Sequence, residues 1–352
     1  MIVIKRKKVA VLFGGCSTEY EVSLQSAYSV ITNLNPKKYE TILIGITRQG
    51  AWLRYYGSLE KIQNDTWMDG DDCVPAIISP DRNIHGLLEF HDDRTIITRI
   101  DVAFPVLHGK NGEDGTLQGL LTMAGIPFAG CGTLCSAICM DKDIAHKIVN
   151  LAGIKTPLSI VLRSGFTDAE LSKQISCLTF PLFVKPANAG SSFGITKVFQ
   201  KNELYDAVTV AFQHDNKVII EEAVDGFEVG CAVLGKASLA IGEVDEIELS
   251  YGFFDYTEKY TLKTSRIHMP ARIDPDTAER IKQTAFAIYR ALDCSGFARV
   301  DMFLTPEKEI IFNEVNTIPG FTSHSRYPNM LKGIGMTFGQ IVDTVIRLAI
   351  NS

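Results

Sequence analysis

The chain is predicted to be an α/β protein, opening with a parallel sheet and continuing into two further units of mixed strands and helices. Three observations predict it. Through the first third, short apolar runs alternate with helix-patterned segments, as in parallel strands joined by crossover helices. In the middle, a glycine–serine turn at Gly190–Gly194 separates two strand patterns. Near the end, two apolar strands carry polar residues at a spacing of two, Arg299 with Asp301 and Glu314 with Asn316, so each pair shares one face.

Taken in order, Lys8–Phe13 reads as a buried strand, Glu21–Leu34 as an amphipathic helix and Thr41–Ile46 as a second strand. Gln63–Asp93, rich in Asp, Asn and Pro, reads as loops with short strands; Asp101–Leu107 is another strand, and Leu117, Leu120, Leu121 and Ala124 mark a helix. A second unit starts near Gly130. It holds a helix over Ser136–Leu151 stopped by Gly153, a strand at Ser159–Leu162, a helix ending at Lys173, strands at Pro181–Val184 and Ile195–Phe199, a helix over Asn202–His214 and a strand at Val218–Glu222. The last unit has strands at Glu228–Leu234, Leu239–Val244, Phe297–Phe303 and Ile310–Val315, with helices near Asp276–Leu292 and Thr337–Ala349.

Composition narrows the function class. A chain of 352 residues holds two or three domains at roughly 150 residues each. Lys and Arg total 35 against 41 Asp and Glu, a net charge of −6, which disfavours binding nucleic acid through its phosphates. Hydrophobic residues at 46% and charged residues at 22% are those of a folded protein, and no apolar run approaches the roughly 20 residues of a membrane span. The start, MIVIKRKKVAVLFGG, lacks the pattern of a signal peptide, and the eight cysteines are scattered, so reduced thiols in a cytoplasm are expected.

Several strings carry chemistry. After Lys185-Pro186, Gly190-Ser191-Ser192-Phe193-Gly194 can bring backbone N–H groups and hydroxyls to a polyphosphate, although the same string serves as a plain hairpin turn. Asp301, Glu314 and Asn316 converge if their strands pair, an oxygen-only donor set suited to magnesium. The polar loop Thr317–Arg326 leaves a buried strand, where sites in open α/β sheets lie; Gly320 can offer its N–H to an oxygen, and Ser325 and Arg326 can hold a carboxylate. Gly14–Glu21 links a strand to a helix and places Glu19 where it can take an ammonium group, or merely sit as a first-turn acid. Leu107–Gly115 gathers His108, Lys110, Glu113 and Asp114 among glycines. Cys131, Cys135 and Cys139 recur every four residues without a closing fourth ligand, so a cysteine-lined core face is expected there and not a metal site. Tyr251–Tyr260 mixes aromatic and charged residues, as an interaction patch or a lid would.

In sequence order, GGCSTEYEVS, HGKNGEDGTLQG, MDKDIAHK, VKPANAGSSFGI, FDYTEKY, ARVDMF and NEVNTIPGFTSHS make the chain resemble the D-alanine–D-alanine ligase family of the ATP-grasp superfamily over essentially its whole length. Within that family it looks most similar to the D-alanine–D-serine ligases of vancomycin resistance, of the VanG and VanC types, through FFDYTEKY and the Arg of SHSRYP. The resemblance implies an N-terminal α/β substrate domain over 1–130, a central ATP-grasp lobe over 131–222 and a C-terminal lobe over 223–352. It implies a homodimeric enzyme of peptidoglycan-precursor synthesis, in which ATP phosphorylates the carboxylate of D-alanine and a second D-amino acid attacks the acyl phosphate.

It also implies roles. Lys142, Lys185, Ser191 and Ser192 match groups around the ATP phosphates, and Glu221 and Glu228 match acids on adenine and ribose. Asp301, Glu314 and Asn316 match ligands of two Mg2+ ions, which Mn2+ can replace, and Arg299 with the Gly320 N–H matches the pair on the tetrahedral oxyanion. Glu19 matches the acid on the first ammonium, with Ser191 and Tyr260 as its hydrogen-bond partners; His108 matches a histidine near the first substrate that can assist proton transfer. Lys259 and Ser325 match groups on the second carboxylate, and Arg326 is expected to line the second subsite and to favour D-serine through its donors. The alternatives are a D-alanine–D-alanine ligase of ordinary wall synthesis and a non-catalytic nucleotide-binding relative.

Overall fold

A computed structural model of the protein describes residues 5–190, 193–249 and 265–351. The N-terminal sheet begins as expected. Strands β1 (Lys7–Gly14) and β2 (Tyr39–Ile46) flank helix α1 (Tyr20–Thr32), and β1 pairs in parallel with β2 and, on its other side, with β7 (Val102–Pro105). Between β2 and β7 the chain departs from a purely parallel sheet. The strands β3 (Trp52–Tyr55), β4 (Cys73–Ile78), β5 (Gly86–Phe90) and β6 (Thr95–Arg99) add on antiparallel, with helix α2 (Leu59–Gln63) after β3, giving the order β6-β5-β4-β3-β2-β1-β7. Strands β4 and β5 fall in the segment expected to hold loops with short strands, whereas β3 and β6 lie outside it and were not anticipated: each is short, and β6 alternates exposed and half-buried residues, covered on one face only. Helix α3 (Thr116–Ala124) follows β7.

Where one helix was expected over Ser136–Leu151, there are two, α4 (Thr133–Met140) and α5 (Lys142–Leu151). Asp141 breaks them. Its backbone is extended and its carboxylate accepts the Ile144 N–H at 3.2 Å, an N-cap that starts α5 with Lys142. Both helices pack on the third sheet rather than the central one, sharing a core with Val229, Cys231 and Phe312. The central unit is the antiparallel sheet β10-β9-β11-β8, built from β8 (Ser159–Arg163), β9 (Leu182–Pro186), β10 (Thr196–Val198) and β11 (Lys217–Glu222), with helices α6 (Asp168–Gln174) and α7 (Leu204–Phe212).

The third sheet runs β15-β14-β12-β16-β17, with β13 (Leu239–Ile241) beside β12 (Phe227–Gly235). Its other strands are β14 (Asp245–Leu249), β15 (Ser265–His268), β16 (Gly296–Leu304) and β17 (Ile310–Asn316), and helix α8 (Pro275–Ala291) leads into β16. The single strand expected at Leu239–Val244 is therefore β13 followed by a turn into β14. Helix α9 (Arg326–Gly333) was not expected; its Pro328 lies in the first turn, where N–H groups have no intrahelical partner and proline is tolerated. Helix α10 (Phe338–Ile350) opens on a reciprocal cap, Gln340 N–H to Thr337 Oγ1 at 3.3 Å and Thr337 N–H to Gln340 Oε1 at 2.7 Å. One apolar core joins Val9, Val11 and Phe104 of the first sheet to Phe297, Phe321, Tyr327 and the buried face of α10, so the chain's end closes on its beginning. Among the described residues no single helix is long and apolar enough to cross a membrane.

Candidate active site

The pairing of β16 with β17 brings the acidic groups together. Asp301 lies opposite Glu314 and Arg299 opposite Asn316, with an irregularity in the ladder between Asp301 and Met302. Asp301 is 1% exposed. Arg299 clasps it, with Nε 2.9 and 3.0 Å from the two carboxylate oxygens and Nη2 2.6 Å from Oδ2, and Asn316 Nδ2 donates to Oδ2 at 2.9 Å. Lys142, at the start of α5, lies 3.6 Å from Glu314 and donates to the Ala189 carbonyl at 2.8 Å. Carboxylate and amide oxygens in register on neighbouring strands fit a hard divalent cation, and Asp301, Glu314 and Asn316 are the residues that would hold it.

Arg326 stands beside Asp301. It is buried at the first residue of α9, where Nε and Nη2 make a fork on Asp245 at 2.7 and 2.8 Å, Nη1 donates to Glu228 at 2.8 Å, and Nη2 lies 3.3 Å from Asp301. Burial opposes its charge, but Asp245, Asp301 and Glu228 outweigh that and hold its pKa well above the usual arginine value. The guanidinium expected to line the second subsite is held by three carboxylates, Asp245, Glu228 and Asp301. Glu228, paired with Arg326, also lines the cleft described next.

A cleft of about 510 Å³ lies between the central and third sheets, lined by Lys142, Lys185, Glu221, Glu228 and Glu314 and walled by Phe183, Ile195 and Phe303. Lys185 and Glu221 form a buried ion pair across β9 and β11. The second oxygen of that carboxylate, Glu221 Oε2, is buried with no hydrogen-bond partner among the described residues, and an unpaired acceptor beside the aromatic walls of the cleft suits the exocyclic amine of a purine. Lys197, Glu246 and Arg272 also line this cleft and were not anticipated from the sequence. Ser191, Ser192, Lys259 and Tyr260 lie outside the described residues.

On the other side of Asp301, Glu19 sits at the entrance to α1, 9% exposed. A Cβ on Gly109 would stand 2.7 Å from Glu19 Oε2, and one on Gly190 2.8 Å from it, so two bare backbones make room for this carboxylate. Gly109 also has a φ of +69°. The substitution Gly109→Ala is expected to cost about 1–2 kcal/mol from the left-handed backbone alone. Urea unfolding measures that loss.

Two residues lock the Thr317–Ser325 loop to this corner. Glu113, not singled out for a role by sequence, accepts the Gly109 N–H at 2.8 Å and the Ile318 N–H at 2.9 Å, and its carboxyl is pushed up to about 8 by burial and by the charge of Glu19. His108 meets the carbonyl of the same residue, Nδ1 2.8 Å from the Ile318 oxygen, while Nε2 lies 3.3 Å from Ser26 Oγ, which accepts the Phe321 N–H at 3.2 Å. Both ring nitrogens are engaged within the fold, so this arrangement makes His108 a positioning residue and does not show it poised for proton transfer. Ser325 Oγ accepts the Thr322 N–H at 3.0 Å and packs against Gly320.

Burial also holds the His108 pKa below its ordinary 6.5, and that of His146 likewise. A histidine kept neutral in the folded state binds a proton more readily when unfolded, so its contribution is intact above that value and lost as pH falls through it. Glu113, whose raised pKa makes it stabilising as pH falls, opposes this over the same range, so the His108 contribution is read as a difference. Between about pH 7.5 and about pH 5.5 the urea midpoint of His108→Gln, which cannot charge, is expected to fall less, or rise more, than that of the unmodified protein.

Comparison with known proteins agrees with this geometry. Sequence models described as "D-ala D-ala ligase N-terminus" and "D-ala D-ala ligase C-terminus" match residues 8–131 and 148–347. The chain is 45% identical over 352 residues to the vancomycin/teicoplanin A-type resistance protein VanA of Enterococcus faecium, covering 99% of both. It is 44% identical over 348 residues to a D-alanine–D-alanine ligase of Caldicellulosiruptor bescii, covering 97% of this chain and 95% of that one. Among solved structures it superposes on the VanG D-Ala:D-Ser ligase of Enterococcus faecalis with a TM-score of 0.92 at 59% identity, covering 98% of this chain and 100% of that one.

Proposed function

The chain belongs to the D-alanine–D-alanine ligase family, ATP-dependent enzymes of the ATP-grasp fold, and from that premise we propose that it joins D-alanine to D-serine for peptidoglycan precursors. The observation that carries the choice of D-serine is the 59% identity, over 98% of the chain, to a protein described as a D-Ala:D-Ser ligase.

In this reading ATP lies in the cleft between the sheets, its base against Phe183 and Phe303, its exocyclic amine on Glu221 and its phosphates toward Lys142 and Lys185. The γ-phosphoryl passes to the carboxylate of D-alanine, whose ammonium is held by Glu19. The amine of the second amino acid attacks that carbonyl carbon, and phosphate leaves. Arg299 and the Gly320 N–H stabilise the oxyanion that develops, and Ser325 with Lys259 orients the second carboxylate. Mg2+ held by Asp301, Glu314 and Asn316 would offset charge on the transferring phosphoryl group. The enzyme works in the cytoplasm as a homodimer.

Incubation with ATP and an equimolar mixture of D-alanine and D-serine, followed by mass analysis of the dipeptides, tests the reading. D-Ala-D-Ser is expected to dominate. Exclusive formation of D-Ala-D-Ala would move the protein to ordinary wall synthesis, and absence of any D-alanine-dependent ADP release would make it a binding protein.

A further inference from the structure

Sequence spacing argues against a metal at Cys131, Cys135 and Cys139 because no fourth ligand closes the set; the fold supplies one. Cys294, from the turn between α8 and β16, brings its sulfur 3.4 Å from that of Cys135, and the sulfurs of Cys131, Cys135 and Cys294 all lie within 4.8 Å of one another. Cys139, one helical turn beyond Cys135, is 3.8 Å from it. All four are free thiols, none more than 6% exposed. We propose that these four cysteines form a structural site for a thiophilic divalent ion of the zinc class, separate from the oxygen-ligated site on Asp301.

The chemistry and the geometry agree. Four metal–sulfur bonds of about 2.3 Å put the corners of a tetrahedron about 3.8 Å apart, near the Cys135–Cys294 and Cys135–Cys139 separations; Cys139 lies outside the mutually close set of three and would have to turn inward as the fourth ligand. The donors are sulfur only, which selects zinc and disfavours magnesium. Binding releases the thiol protons, and the resulting negative charge falls at the N-terminal turn of α4, whose N-cap Gly132 provides no side-chain acceptor for the first N–H groups. The site would tie that turn to the beginning of β16. There the Cys131 thiol donates to the Phe297 carbonyl at 3.6 Å, and a Cβ on Gly296 would come within 3.0 Å of the Gly130 carbonyl oxygen. Strand β16 carries Arg299 and Asp301, so an ion here fixes the register of the strand on which the chemistry rests.

The test uses the full-length enzyme without a polyhistidine tag, kept reduced, with cobalt and zinc as probes. About one equivalent of zinc per chain is expected to survive exhaustive buffer exchange and to be released by a mercurial reagent. Cobalt added to metal-free protein should give the intense near-ultraviolet thiolate-to-metal band that an all-oxygen site cannot give. Cys135→Ala with Cys294→Ala should abolish both signals, whereas Cys177→Ala, at an exposed thiol, should leave them intact. If the double variant does not fold, the cobalt band of the unmodified protein decides alone. No retained zinc together with no thiolate band overturns the site, as does a Cys135–Cys294 disulfide found by non-reducing mass analysis of freshly isolated protein.

Discussion

Replacing Arg326 with leucine is expected to remove about 3–5 kcal/mol of stability, the cost of breaking a buried ion pair from one side, and to depress turnover with D-serine and D-alanine alike. The reason is what the guanidinium holds. Asp245 is 0% exposed and takes both prongs of the fork, while Asp301 at 1% and Glu228 share the rest. Without Arg326, Asp245 has no other cationic partner among the described residues and sits near Asp301 with Arg299 left to offset them both, while leucine offers no donor to any of the freed oxygens. Glu228 would at the same time be released toward the nucleotide cleft it lines. Arg326→Lys retains a charge but loses the planar fork, and is expected to fall between. Urea unfolding measures the stability, and mass analysis of dipeptides from a D-serine and D-alanine mixture measures selectivity. A shifted product ratio with unchanged stability would assign Arg326 a direct part in choosing the second amino acid.

What the sequence made legible, and what it did not, divides along sequence separation. Groups on one short string were readable in place: Arg299 and Asp301 share a face by the two-residue period, and Glu314 and Asn316 do the same. Strand pairing then converted two one-dimensional patterns into one cluster, as those patterns implied. Other groups owe their surroundings to distant segments. Arg326 is defined by Glu228 and Asp245, Glu113 by the Ile318 peptide, His108 by Ile318 and Ser26, and the cysteine cluster by Cys294. Periodicity cannot see such contacts, since a charged or thiol side chain shows the same local pattern whether it faces water, a ligand or a buried partner. The same blindness explains the N-terminal sheet. Strands β3 to β6 are short and lie between Asp- and Asn-rich turns, and their antiparallel register is fixed by pairing with neighbours. The break at Asp141 had a local signature, an N-cap residue opening an apolar helix, but the continuous periodicity across it masked the cap.

Removing the Arg299 guanidinium is expected to lower kcat by about 10²–10³-fold, the effect of losing one preorganised donor to a developing oxyanion. Arg299 is 12% exposed at its side chain, and three N–H contacts to Asp301 fix its plane through Nε and Nη2. Among the described residues Nη1 has no such contact, which leaves it for the reacting carbonyl. A donor held in place before reaction costs no reorganisation when charge appears, and burial makes the charge count for more than it would in water. Arg299→Met keeps the length and apolar stem of the side chain while deleting every donor. Because ATP is proposed to meet Lys142, Lys185 and Glu221 instead, KM for ATP is expected to change far less than kcat. Arg299→Lys retains the charge but cannot both clasp Asp301 and reach the carbonyl with fixed geometry, so its recovery should be partial. Single-turnover quenching separates the chemistry from product release, and urea midpoints show whether Asp301, stripped of its clasp, loosens the sheet. Unchanged single-turnover rates in a folded Arg299→Met protein would assign the oxyanion to the Gly320 N–H and the metal, and leave Arg299 as the counter-charge of Asp301.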